Sequence, residues 1–246
     1  MDSTSLSRQN AILKRLGVEI TRDARILEFG CGAGRAVYSL LDAGYTKVIG
    51  FEIKDYLELR SPTDRAHFVI GNPSQCKLPF ENDEFDLVVS DQVFEHVKDQ
   101  IGVLRELRRV MRPGGHAVHL FPARYCAIEP HIYVPFGGVI AHRWWYKLWA
   151  LFGIRNESQR GCSADRTANL NAFYFVEALN YVQNSMYEVI WTELKYDWKW
   201  LDQEGFDTSD SRIVRAFGKF NRHFPLIGWM NRTFRVRKVY LRKRID

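Results

Sequence analysis

The chain has 246 residues and a net charge of +6, and the excess is uneven: residues 211–246 hold 11 of the 35 Lys and Arg and a single acid. That stretch carries +10 and leaves −4 on the rest, an asymmetry that speaks of a partner surface rather than of the fold. With 46% apolar and 26% charged residues, the composition excludes large-scale disorder, collagen and a multi-span membrane protein.

Taken in chain order, a short amphipathic opening (Ile12, Leu13, Leu16) precedes alternating strands and helices. Ala24 to Phe29 reads as a buried strand that runs into glycines, and Val37 to Leu41 as helix ending near Gly44. Lys47–Glu52, His67–Ile70 and Phe85–Ser90 are three further strands. Ile101 to Met111 has the 3.6-residue period of a helix, with Ile101, Leu104, Leu107, Val110 and Met111 on one face. Arg112-Pro113-Gly114-Gly115 stops it, and His116–Phe121 is the fifth strand. Strands separated by helices predict an α/β fold with a doubly wound, mostly parallel sheet.

Beyond residue 122 the pattern loosens. Residues 123–165 are too long for a plain connection and read as an inserted, aromatic lid for the acceptor. The division is then 1–122 for cofactor binding, 123–165 for the lid and 166–246 for completing the sheet. Within the last part, Asn169–Met186 is expected to be helix and Tyr187–Leu194 strand. Residues 211–231 are expected to form a basic helical insertion, and Arg235–Arg242 a closing strand at the edge of the sheet. Cys31, Cys76, Cys126 and Cys162 form no C-x-x-C pair, so neither a zinc site nor a disulfide framework is expected. The polar Met1–Arg8 lacks the apolar core of a signal peptide, and Val139–Gly153 is broken by His142, Arg143 and Lys147. The expected location is the cytoplasm.

The chemistry starts at Glu28-Phe29-Gly30-Cys31-Gly32-Ala33-Gly34, where a first strand turns into a first helix. Glycines there let the backbone approach a ligand, and a helix N-terminus offers unpaired amides. The dinucleotide fingerprint G-x-G-x-x-G fails, because a start at Gly30 puts Arg35 at the last position. Glu52 closes the second strand at the distance where an acid holds a ribose. Gly71-Asn72, Leu78-Pro79-Phe80, Phe85–Ser90, Val93-Phe94-Glu95-His96-Val97 and Leu107–Gly115 follow in order.

Together these segments resemble class I S-adenosylmethionine-dependent methyltransferases, specifically the type-11 group, across residues 24–122. The resemblance implies a Rossmann-like, seven-stranded fold and S-adenosyl-L-methionine as cofactor. It implies that Glu28 and the loop Gly30, Cys31, Gly32 and Gly34 surround the amino-acid half. Glu52 would bind the ribose, and Asn72 and its neighbours would flank the adenine; Ile53 and Ser90 join the cofactor-binding set. The family usually has Asp at the position of Asn72, whose carbonyl oxygen can still accept a hydrogen bond.

For the acceptor, Ser90-Asp91-Gln92-Val93-Phe94 is not the Asn/Asp-Pro-Pro-Tyr/Phe signature of enzymes that methylate base amino groups. A sugar, glycan or other small hydroxyl acceptor fits better, and nucleic acid fits worse. A hydroxyl acceptor needs a base, and two histidines qualify: His96 beside Glu95, and His131 two residues after Glu129. No standard metal-ligand spacing accompanies them. Trp144–Phe152 is either a lid helix burying its aromatics or an interfacial helix with Arg143 and Lys147 at headgroup level. The basic–aromatic C-terminal stretch extends the second reading to peripheral contact with an anionic membrane surface. A methyltransferase acting on RNA or protein, and a non-catalytic cofactor-binding module, stay open as alternatives.

Overall fold

The computed structural model of the protein describes residues 12–72, 77–123, 125, 134–140, 142–152, 184–201 and 236–245. Among them one sheet of seven strands runs in the order β3-β2-β1-β4-β5-β7-β6. Its strands are β1 (Arg25–Phe29), β2 (Lys47–Glu52), β3 (Phe68–Ile70), β4 (Phe85–Asp91), β5 (Met111–Pro122), β6 (Tyr196–Trp200) and β7 (Val236–Lys243). The first five pair in parallel, and β7 lies antiparallel between β5 and β6. The doubly wound sheet expected from the sequence is therefore present.

Parallel strands are covered on both faces, so they read as apolar runs rather than alternations. Ile26, Val48, Leu87, Val89 and Val118 face one layer with helix α1 (Arg35–Asp42), whose Val37, Tyr38 and Leu40 are buried there with Ile12 and Leu13. Leu27, Phe51, Val88, Ala117 and Phe121 face the other layer, formed by α2 (Gln100–Val110) and α4 (Asn184–Glu193). Helix α2 is capped by Asp99, whose side chain accepts from the Gly102 N–H at 2.9 Å. Helix α3 (Arg143–Leu151) lies in the expected lid.

Three expectations need correcting. Tyr187–Leu194 is not a strand: Asn184–Glu193 is helical, because Tyr187, Ile190 and Trp191 at i, i+3 and i+4 are buried while Val189 is exposed. The neighbouring strand is Tyr196–Trp200, which alternates Tyr, Trp, Trp, and Lys195 at φ 52° makes the turn between the two. Strand β5 begins at Met111, not His116. Phe85 pairs with Met111 and Leu87 with His116, so Arg112 to Gly115 form an irregularity inside the strand, with Gly114 at φ 76°. Finally, the closing strand is no edge. Strand β7 is internal, with Arg237, Val239, Leu241 and Lys243 on its buried face. The expected helices at Asn169–Met186 (up to residue 183) and 211–231 lie outside the described residues.

Candidate cofactor and acceptor site

The carboxyl ends of β1, β2 and β4 meet at one point, the position where doubly wound sheets take ligands. The loop after β1 is drawn onto β2 by two bonds, the Gly30 and Cys31 N–H groups donating to the Phe51 carbonyl at 2.8 and 3.0 Å. Gly30 has φ 77°, and a β-carbon there would stand 2.4 Å from a Val93 methyl. Gly34, at φ 85°, precedes α1 with the Phe68 ring where its β-carbon would go, 2.6 Å away. Side chains are excluded at both positions by conformation and by space. Gly32 differs: nothing lies within 4 Å of the place a β-carbon would occupy. The loop therefore opens to a ligand at Gly32 and is closed by packing at its ends.

Two acids line this opening. Glu52 is half-buried; its Oε2 accepts from the Gly32 N–H at 3.0 Å and its Oε1 from Ile53 N–H at 2.7 Å. Glu28 is buried, and among the described residues its Oε2 has no hydrogen-bond partner. Burial first, then the fields of Asp91 and Glu52, push its carboxyl up from 4.5 to about 8, against a lowering by the Val37 amide. Acids at this opening disfavour a pyrophosphate, and a bound cation would favour the ionised form of Glu28. An opening lined by acids suits the ammonium and sulfonium of S-adenosylmethionine better than a pyrophosphate.

The other expected residues divide. Ile53 is exposed beside Glu52, and Asn72 is exposed just beyond β3, where the Gly71 N–H donates to the Glu52 carbonyl at 2.7 Å. Cys31 does not face the opening. Its thiol packs against Gly50, burial pushes it up to about 12, and its carbonyl accepts from the Gly34 N–H at 2.8 Å, so it shapes the loop from behind. Ser90 is likewise interior, its Oγ 2.8 Å from Nδ1 of His119. Burial drives the His119 imidazole down to about 3 and keeps it neutral.

After β4, residues Val93 to His96 turn over the glycine loop, with Phe94–His96 forming a 3₁₀ turn. The Val93 side chain lies against Gly30, and the His96 N–H donates to the Val93 carbonyl at 2.9 Å. The His96 ring is exposed, with Nε2 4.0 Å from Oε1 of the buried Glu95. The turn rests on Phe94, which packs on His119, Phe121 and Tyr187. Gln100 fastens it from below, donating to the Phe94 carbonyl and accepting from the Tyr187 hydroxyl, each at 2.6 Å. His131 and Glu129 lie outside the described residues. Among those described, no group of three His, Cys, Asp or Glu residues has the geometry of a metal site.

Sequence reasoning passed over Asp91, although a carboxylate ending β4 was visible at the strand-end position. It also missed Arg237, a buried cation 5.7 Å from the Phe121 ring centre and 6.0 Å from that of Tyr187. Only the pairing of β5 with β7 brings it there.

Residues 27–119 match the family model described as a methyltransferase domain. A sterol 24-C-methyltransferase of Gibberella zeae is 30% identical over 99 residues, 37% of this chain and 26% of that one. A 27-O-demethylrifamycin SV methyltransferase of Amycolatopsis mediterranei is 30% identical over 98 residues, 37% of this chain and 36% of its own. The chain thus spans well under half the length of these curated relatives. The crystal structure of an S-adenosylmethionine-dependent methyltransferase from Mesorhizobium loti superposes with a TM-score of 0.55 at 14% identity, covering 96% of this chain and 98% of that one, a likeness of fold. Over residues 27–119, which include the acidic opening at the sheet ends, the chain is thus similar to S-adenosylmethionine-dependent methyltransferases.

Proposed function

We propose that the protein is an enzyme that transfers the methyl group of S-adenosylmethionine to a hydroxyl of a small molecule or glycan, with His96 as the proton acceptor. The cofactor supplies a methyl group on a sulfonium, open to in-line displacement by a nucleophile. Glu28 holds the cationic amino-acid end, Glu52 accepts from the ribose hydroxyls, and the glycine loop excludes side chains from the path between them. His96 takes the hydroxyl proton as the new carbon–oxygen bond forms, and the adjoining Glu95 carboxylate favours the resulting imidazolium.

The observation that carries this reading is the contact of Val93 with Gly30, which ties the turn bearing His96 to the wall of the cofactor loop. The oxygen acceptor named for the rifamycin relative supports it, whereas the sterol relative methylates carbon by its name. Glu129 and His131 form the competing base pair.

Incubation with methyl-labelled cofactor and fractionated cell extract tests the acceptor class: label is expected in small-molecule or glycan pools, and label in nucleic acid or protein overturns the proposal. With the acceptor in hand, His96→Ala should lower turnover by about 100-fold or more while cofactor affinity, measured by calorimetry, stays the same. Near-normal turnover in that variant, with His131→Ala inactive, moves the base to His131.

A further inference from the structure

Helix α3 is bonded on one face to the turn that precedes it and turns an apolar face to solvent. On the held side, the Trp145 indole donates to the Pro135 carbonyl at 2.6 Å, and the buried Tyr146 hydroxyl donates to the Gly137 carbonyl at 2.7 Å. These bonds make residues 134–140 and α3 one unit. On the other side Trp144, Leu148, Leu151 and Phe152 recur at i, i+4, i+7 and i+8, with Trp144 53%, Leu151 84% and Phe152 69% exposed. The turn adds exposed Phe136 and Val139. Phe136 sits at φ 52°, a left-handed conformation unfavourable for a bulky residue, and is half exposed. A fold that needed these side chains for its own core would have buried them.

The charge pattern identifies what covers the face. From Pro130 to Asn156 the sequence contains no Asp or Glu, while Arg143 and Lys147 lie on the helix, both exposed. A second copy of the chain laid on the same face would set Arg143 and Lys147 against their own counterparts, so self-association is disfavoured. At nine residues the helix is too short to cross a bilayer.

We propose that α3 and the turn before it dock the protein on an anionic lipid surface. Trp144, Leu148, Leu151 and Phe152 enter the boundary between headgroups and acyl chains, and Arg143 and Lys147 meet the lipid phosphates. The inference rests on the exposed face of α3 alone and does not depend on which acceptor is methylated.

Sedimentation of the full chain with vesicles tests it, comparing pure phosphatidylcholine with vesicles containing about a third phosphatidylglycerol, and with a vesicle-free control for aggregation. The protein should sediment with the anionic vesicles and be released by high salt. Leu151→Glu with Phe152→Glu should lower the partition coefficient about tenfold or more. Arg143→Gln and Lys147→Gln should each lower it about fivefold on anionic vesicles. Trp144→Ala, a milder change at an exposed position, provides a second apolar variant that should also weaken sedimentation. Wild-type protein that fails to sediment with anionic vesicles, or apolar variants that sediment as well as wild type, overturns the proposal. So does a wild-type dimer, seen by light scattering, that the Leu151→Glu, Phe152→Glu change converts to monomer without any vesicle binding.

Discussion

Glu28 carries an uncommon burden for a strand residue, since it is buried, acidic and within the field of two other acids. Its carboxyl is raised from 4.5 to about 8, so between these values the unfolded chain releases a proton that the folded one keeps. Folded stability should therefore be lost as pH rises through that window, and linkage puts the effect on the order of a few kcal/mol. Melting of the ligand-free protein from pH 5 to pH 8.5 measures this, and Glu28→Gln should flatten the fall. The same variant should bind S-adenosylhomocysteine about tenfold or more weakly, because a charge-assisted contact to the ammonium is lost. A Glu28→Gln protein with unchanged affinity would remove Glu28 from the cofactor site. At this scale the sequence located Glu28, Gly32 and Glu52 at the strand ends where the structure has them, because each sits at or next to its own strand. It was illegible for Cys31 and Ser90, because the side toward which a side chain turns depends on neighbours such as Gly50 and His119 that are distant in sequence.

Among the elements, β1 to β4 could be read to within a residue or two because each is a short, mostly apolar run set off by polar or glycine residues. Helix α4 misled, since Tyr187-Glu188-Val189-Ile190-Trp191 is rich in residues that favour strands. The layer over β5 and β7 decided the matter: only a helix places Tyr187, Ile190 and Trp191 together on it. Helix α2 is the opposite case, marked by its period and by Asp99 at its start. Asp99→Ala should lower stability by about 1 kcal/mol in urea denaturation. Because Gln100, the first residue of α2, also fastens the Val93–His96 turn, loosening this cap should reduce turnover while leaving cofactor affinity near wild type. A cap variant with unaltered stability and turnover would show that the turn is held by Tyr187 and Phe94 alone.

For the whole molecule, the charge split seen in the sequence takes on another meaning. Part of the basic C-terminal segment is interior: Lys243 donates to Asp83 at 2.6 Å and to the Arg108 and Met111 carbonyls at 3.0 and 2.7 Å. Arg237 lies beneath Phe121 and Tyr187. These cations fasten the sheet rather than face a partner, and removing the segment would take away an internal strand. The proposed docking by α3 draws on neither of these two buried cations. The internal position of β7 also has a kinetic side. Among the described strands β6 pairs with β7 alone, while β7 is held by β5 as well. Freeing β7 from both neighbours leaves β6 unpaired, whereas β6 can fray while β7 stays on β5. In native-state hydrogen exchange, amides of Tyr196–Trp200 bonded to β7 should therefore exchange sooner than those joining β7 to β5. Assembly carries a matching constraint: β6 is joined to the sheet only through β7, which lies some 35 residues later in the chain.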